Sequence, residues 1–463
     1  MPATRALNIR QGQVVLLVGT MKGAFLFAAN PRRDKWEMGG PHFPGSPVYS
    51  LAHDRRNGSH RLFSSVDNPF FGTTLRWSDD LGRTWTDGTT GVIKFPEDTG
   101  LSLKRIWQLV PTGNGLVYAG VEPSSLFVSR DRGETWELVR GLFDHPHRER
   151  WEPGNGGQCL HTVLPHPSDP DNIVVAMSTG GVYRTTDGGR TWQARNVGVR
   201  AQFMPEENRY PEFGQCVHKV VRHPSRPETM FLQNHWGLYR TDDGGDSWRD
   251  IANGVPSDFG FCMAIHPHDP DVVYIVPLES DMYRCTPEGR MRVYRTRDGG
   301  AHWEALAAGL PQKNAHETVL RDALGVDALD PAGVYFGTRS GKVYASPDSG
   351  RTWNLVADGL PPVLCVRAAV VGDPARIRVP HAKGARTRPA AKKSTARKPA
   401  RAKASAARKE PARTRASAKA SAARKKPAKA RAKASAARKK PAKARATAKR
   451  RPAARAARRA RSR

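Results

Sequence analysis

The chain has 463 residues, with 75 Lys+Arg against 43 Asp+Glu and a formal net charge of +32. Residues 381–463 hold 33 of the basic side chains and a single acid, Glu410, so residues 1–380 carry 42 of each sign. The excess charge therefore belongs to a tail and excludes a uniformly basic body, and no run of about 18 apolar residues is present to span a bilayer as a helix.

All 11 Trp, 10 Tyr and 15 Phe precede residue 381. The first part can bury a large core, whereas the tail has nothing to bury and is expected to be disordered. The opening "MPATRALNIRQGQVVLLVGT" lacks a signal-peptide pattern and reads as a lead over 1–12 followed by a strand. Five cysteines (159, 216, 262, 285 and 365) are an odd number without framework spacing. Reduced thiols in a cytoplasmic monomer, possessing no cofactor, are the expectation.

The body, residues 13–371, is punctuated by one octapeptide. Its six copies are "SDDLGRTW" (78–85), "SRDRGETW" (129–136), "TTDGGRTW" (185–192), "TDDGGDSW" (241–248), "TRDGGAHW" (296–303) and "SPDSGRTW" (346–353). Successive terminal Trp residues lie 51, 56, 56, 55 and 50 positions apart, and a degenerate copy, "NPRRDKW" (30–36), precedes them. Such spacing marks a structural repeat. Within each copy the Ser/Thr and Asp side chains suit hydrogen bonds to nearby backbone N–H groups. Gly supplies a positive φ, and Trp covers apolar surface as the next strand begins. Asp80, Asp131, Asp187, Asp243, Asp298 and Asp348 are thus read as structural turn residues.

Between the turns the sequence alternates as strands do. "CLHTVLPHP", "NIVVAMST" and "GGVYRT" precede one octapeptide and "WQARNV" follows it, giving four short antiparallel strands per unit. That is the arithmetic of a β-propeller blade. The N-terminal "QVVLLVGT" and "GAFLFAAN" read as second and third strands, and "PPVLCVRAAV" (361–370) as a lone first strand. Joining the ends predicts an all-β, seven-bladed propeller of four-stranded blades.

The octapeptides resemble the Asp-box, or BNR, repeats of bacterial sialidases and sortilin-like propellers. The body is similar to WD40/YVTN/BNR-like bacterial proteins often labelled glycosyl hydrolases. The resemblance covers about residues 13–371. It implies the propeller fold and leaves activity open, because such turns occur on propellers with and without catalysis.

In such a blade the octapeptide shares a face with the short turn between the first and second strands. Long connections gather on the opposite face: 138–158, 194–214, 277–292 and 309–322. Long loops on a rigid ring are where ligands bind. The candidate ligand residues there are Asp67, Asn68, Arg105, Trp107, Arg150, Trp151, His161, His218, His235, Trp236 and Arg321. Aromatic rings beside carboxylates and guanidinium groups suit a glycan, a small molecule or a protein ligand. "GQCLH" and "GQCVH" align Cys159 with Cys216 and His161 with His218. Cys-x-His lacks the usual zinc-ligand spacing, so a duplicated packing motif, with no metal, is the expectation.

Two functions of different class follow. The first is a non-catalytic propeller binding a ligand on its long-loop face. The second is a glycoside hydrolase, sialidase-like and exo-acting, which needs two carboxylates about 5–10 Å apart. Glu152, Glu206, Glu207, Glu212, Glu279 and Glu317 are available on that face, and Tyr210 beside Glu206, Glu207 or Glu212 imitates a sialidase nucleophile pair. Arg105, Arg150 and Arg321 imitate its arginine clamp. The resemblance is incomplete, because the Arg-Ile-Pro signature of sialidases is missing.

The tail, 372–463, consists from residue 383 onward almost wholly of Ala, Lys, Arg, Pro, Ser and Thr, with "SAARKKPAKARAKA" (421–434) repeated as "SAARKKPAKARATA" (435–448). It resembles linker-histone C-terminal tails. Lys and Arg along a flexible chain neutralise phosphates and release counterions. Residues 383–463 are therefore expected to tether the protein to nucleic acid, without sequence preference and without a stacking platform. The full-length protein should retard duplex DNA in a gel with steep salt dependence, whereas a chain truncated at Val379 should not. Equal retardation by both would move the binding surface onto the body.

Overall fold

The computed structural model describes residues 5–154 and 156–380. Residues 381–463 of the expected tail lie outside the described residues, whereas 372–380 are described: Asp373 caps the short helix Pro374–Arg376, and Ile377 and Val379 pack against the core. The alternating apolar segments of the body form seven sheets, six of four antiparallel strands and one of three. Each first strand packs against the first strands of both neighbouring blades, which closes the ring.

Blade 1 is assembled from both ends of the body. Val363–Val370 is innermost, followed by Val14–Thr20, Gly23–Ala29 and Trp36–His42. The pairing of Val14 with Val370, through to Thr20 with Val363, is antiparallel. Blade 2 comprises Leu51–Arg56, Ser59–Asn68 and Gly72–Ser78. Its outermost position departs from the four-stranded expectation. There Thr86 bonds the third strand, its N–H donating to the Trp77 carbonyl (2.9 Å) and its hydroxyl accepting from the Trp77 N–H (3.1 Å), before an irregular loop begins straight after the octapeptide.

Blade 3 runs Arg105–Pro111, Val117–Glu122, Ser125–Ser129 and Glu137–Leu138, and blade 4 runs Leu160–Pro165, Ile173–Met177, Gly181–Thr185 and Gln193–Ala194. Blade 5 runs Val217–His223, Arg226–Asn234, Leu238–Thr241 and Arg249–Asp250. Blade 6 runs Gly260–Ile265, Val273–Pro277, Val293–Thr296 and Glu304–Leu306. Blade 7 runs Leu324–Val326, Val334–Gly337, Val343–Ser346 and Asn354–Ala357. Second strands such as Ile173–Met177 are wholly buried, since both faces meet neighbouring blades. The residues read as a lead also join the core, with Leu7 and Ile9 buried against Val15 and Leu17.

The octapeptide turns share one hydrogen-bond pattern. Thr185 Oγ1 donates to Asp187 Oδ1 (2.7 Å) and accepts from Gly189 N–H (3.0 Å), while Asp187 accepts from the Thr191 N–H and hydroxyl. The same set recurs around Asp80, Asp131, Asp243 and Asp348, and around Asp298 with His302 replacing the hydroxyl donor. Gly188 and Gly299 then donate to the turn between the first and second strands of their own blades, and Gly244 to Glu228 near the start of its second strand. Both turns therefore lie on one face. The Trp248 and Trp303 indoles donate to Arg195 and Ile251 carbonyls, one blade back, so these turns also bind blade to blade.

The carboxyls of Asp80, Asp131, Asp187, Asp243 and Asp298 are held low. For Asp131 and Asp243, desolvation is outweighed by hydrogen bonds from Thr135 and Ser129 and from Ser247 and Thr241, giving about 2 in each case. Asp298 is also lowered to about 2, chiefly by His302. These values lie below the unfolded range near about 4, so the stabilisation is full above about pH 4 and fades as pH falls through the folded values. The urea midpoint of the propeller should fall between those limits, with a shallower slope in Asp243→Asn. Thr241→Val, which strips the acceptor from a buried Gly245 N–H, should cost about 1–3 kcal/mol at neutral pH; Thr241→Ser should restore most of it.

Candidate active site at the long-loop mouth

First strands start, and second strands end, on the face opposite the octapeptides. Side chains from these strand ends therefore converge where the central channel opens. In blades 3, 4, 5 and 6 the pairing of first with second strand slips at this level: between Ile106 and Gln108, Leu160 and Thr162, Val217 and Lys219, and Gly260 and Met263. A bulge re-aims the extra residue. The residues within these slips include Trp107, His161, His218 and Phe261.

Asp67, Arg105, Trp107 and Glu122 meet at the mouth. Arg105 Nε donates to Asp67 Oδ2 (3.0 Å) and Arg105 Nη1 approaches Glu122 Oε2 (3.4 Å), which also accepts from Trp107 Nε1 (3.1 Å). The guanidinium stacks 4.0 Å from the Tyr49 ring and 5.1 Å from Trp107. Burial pushes the Asp67 carboxyl above its ordinary value, although hydrogen bonds from Thr73 and Arg105 pull the other way and the Glu122 charge adds to the rise. Gly157 lies so close that a Cβ there would sit 2.5 Å from Glu122 Oε1.

Across the mouth, Arg321 Nε donates to the His218 carbonyl (2.5 Å), Nη2 reaches Ser178 Oγ (3.3 Å), and the group lies 5.5 Å from the Trp107 ring. Beneath, Lys219 Nζ and Arg367 Nη2 both donate to Asp322 Oδ1 (2.8 and 2.6 Å), drawing three blades together. Asp322 is held at about 2, its burial outweighed by those two cations. A channel cavity of about 440 Å³ is lined by the first strands of all seven blades.

Other expected site residues are placed differently. Trp151 is buried, its indole donating to Tyr183 OH (3.0 Å); it packs the blade rather than facing a ligand. His161 is fully buried, with both ring nitrogens engaged by Thr162 Oγ1 and the Val217 carbonyl, so it is no pocket wall. Glu206 and Glu207, in the short helix Glu206–Asn208, stand exposed, as does Tyr210. Glu317 is buried and bound to Ser340 and Lys342. Glu152, Glu212 and Arg150 do meet, in a pocket of about 390 Å³ with Phe203 and Phe213. Arg150 stacks 4.6 Å from Phe213, and Trp236 lies 5.4 Å from Phe203. His218 and His235 lie side by side (5.2 Å), and Asn68 Oδ1 accepts from the Phe70 and Phe71 N–H groups.

That last turn thrusts Phe70 and Phe71 outward, 87% and 85% exposed. Phe203, Tyr210, Met282 and Tyr283 are also exposed on this face, so six of the ten exposed large hydrophobic residues among the described ones surround the mouth. Glu122 and the exposed phenylalanine pair were missed as site residues by sequence reading. The available signal was position: Glu122 closes the second strand of its blade, as Asn68 does in blade 2.

No family model matches the sequence. The chain is 27% identical over 239 residues to an oligoxyloglucan-reducing end-specific xyloglucanase of Emericella nidulans, covering 44% of this chain and 28% of the relative. It is 24% identical over 341 residues to a xyloglucanase of a Paenibacillus species, covering 62% of this chain and 30% of that protein. The chain thus spans under a third of the length of these curated relatives. Among solved structures, an ancestral GH74 enzyme aligns with a TM-score of 0.45 and 17% identity, over 67% of this chain and 38% of that one. These relatives correct the expectation of a non-catalytic binding propeller, because the proteins that the sequence matches are named for glycoside hydrolysis. The hydrolase alternative is the one they favour.

Proposed function

We propose that the chain is a glycoside hydrolase whose long-loop mouth cleaves a polysaccharide of the xyloglucan type. The observation that carries this reading is a carboxyl with a raised pKa, Asp67, one guanidinium away from a second carboxylate, in a mouth ringed by exposed aromatic side chains. A raised carboxyl is what a general acid requires. Asp67 donates its proton to the glycosidic oxygen as the C–O bond breaks. Glu122 takes a proton from the water that adds to the sugar carbon. Arg105, held against the rings of Tyr49 and Trp107, positions both groups. Phe70, Phe71 and Phe203 offer flat apolar faces for sugar rings, and the Glu152–Glu212 pocket serves as an outer subsite.

Release of reducing ends from xyloglucan tests the assignment. Asp67→Asn and Glu122→Gln should each lower kcat by about 10²–10⁴, whereas Glu206→Gln should leave it unchanged. Phe70→Ala should act mainly on KM. Because the acid must hold its proton, activity should decline as pH rises through a value above the ordinary carboxylate range, and that limb should vanish in Asp67→Asn. Full turnover in Asp67→Asn would overturn the assignment.

A further inference from the structure

The first and second strands of blade 5 bring three metal-binding side chains together. Cys216 precedes the first strand, His218 lies within it, and His235 follows the second. The antiparallel register pairs Val217 with Asn234, and His235 N–H donates to the Cys216 carbonyl (2.9 Å). The ligand atoms of Cys216, His218 and His235 all lie within 4.8 Å of one another, with Cys216 Sγ 3.8 Å from His218 Nε2. Ligands of one tetrahedral ion bound at about 2.0–2.3 Å are separated by comparable distances, so modest side-chain adjustment closes the set.

The surroundings fit a metal better than a packing motif. His218 Nδ1 hydrogen-bonds to the Gly260 carbonyl (2.6 Å), which places the proton on that nitrogen and leaves Nε2 with a lone pair toward Cys216. His235 Nε2 approaches Asp281 Oδ2 (3.4 Å). A backbone carbonyl behind one imidazole and a carboxylate behind the other are the outer partners that orient metal-binding histidines. Phe259, Phe261 and Trp236 pack around the two rings at 4.2–5.6 Å. Cys216 and His235 are only partly buried, so the open side of the cluster communicates with the mouth.

The neighbouring copy of the motif supplies an internal contrast. In blade 4, Cys159 and His161 occupy the positions of Cys216 and His218, but the residue facing Cys159 across the register is Ser178, whose N–H donates to the Cys159 carbonyl (3.0 Å). His161 has both nitrogens spent within the protein. The duplicated motif is therefore complete only where His235 joins it.

We propose that Cys216, His218 and His235 bind a first-row divalent ion of the Zn²⁺ class, with a fourth position open to water at the mouth. One thiolate and two imidazoles select borderline-soft ions over Mg²⁺ or Ca²⁺, and Asp281 serves as an outer partner of His235. This site is separate from the Asp67–Glu122 pair, and its test does not depend on hydrolysis.

Metal-free full-length protein titrated with Co²⁺ should take up one equivalent. It should develop a thiolate-to-cobalt charge-transfer band with the intense visible bands of a four-coordinate ion, and Zn²⁺ should bleach them stoichiometrically. Cys216→Ser should abolish the charge-transfer band, and His235→Ala should weaken Co²⁺ binding by at least tenfold. Cys159→Ser should leave the spectrum intact, and an unchanged circular dichroism spectrum guards against misfolding in each variant. Absence of any thiolate band in the unmodified protein, or its persistence in Cys216→Ser, would overturn the proposal.

Discussion

The pairing of Val363–Val370 with Val14–Thr20 is the contact on which the remaining architecture depends. Six blades would otherwise form an open arc, with a wholly buried second strand uncovered at one end. Seven residue pairs close it, and a buried ion pair reinforces the joint. Arg33, in the degenerate octapeptide, adopts a positive φ and reaches into blade 7, where its guanidinium bonds Asp327 (2.8 Å) and the Pro331 and Pro347 carbonyls. Tyr335 OH donates to the same carboxylate. A pair at zero exposure on both sides must satisfy its hydrogen bonds or be strongly destabilising. The lost turn motif of blade 1 has been replaced by a bond across the seam.

Closure also makes the mouth possible. Once the seven first strands form a ring, their beginnings lie within side-chain reach of one another, whatever their distance in sequence. Asp322 then gathers Lys219 from blade 5 and Arg367 from blade 1. The bulges act on this frame. A regular first strand would alternate strictly between its two faces. The slips around Trp107, His161 and His218 relax that rule where the strands enter the mouth.

The ring was legible because its signals are local and repeated. Turn residues at fixed offsets and period-two alternation need no knowledge of distant contacts. The mouth was less legible for the opposite reason. Glu122 gains a role only when Arg105, opposite it in the register, turns toward Asp67 in the preceding blade. Trp151 and His161 looked like ligand residues from loop position and composition, yet burial claimed both. His235 was among the candidate ligand residues and Cys216 stood in "GQCVH", but their adjacency rests on strand register. Spacing rules written for a single loop do not contain that information.

If the mouth takes a glycan as proposed, its charge arrangement bears on which kind. Recognition of an acidic sugar requires guanidinium groups free to pair with the substrate carboxylate. Here Arg105 is shared between Asp67 and Glu122, Arg150 lies over Phe213, and Arg321 is engaged by the His218 carbonyl and Ser178. The three do not form one clamp, and an anion entering the mouth would face the Glu122 carboxylate. A neutral polysaccharide meets no such penalty. It brings hydroxyl groups for the polar rim and apolar ring faces for Phe70, Phe71 and Phe203, and it leaves the internal ion pairs undisturbed. Electrostatics and exposed aromatic surface thus point away from a sialidase-like substrate and toward an uncharged glycan.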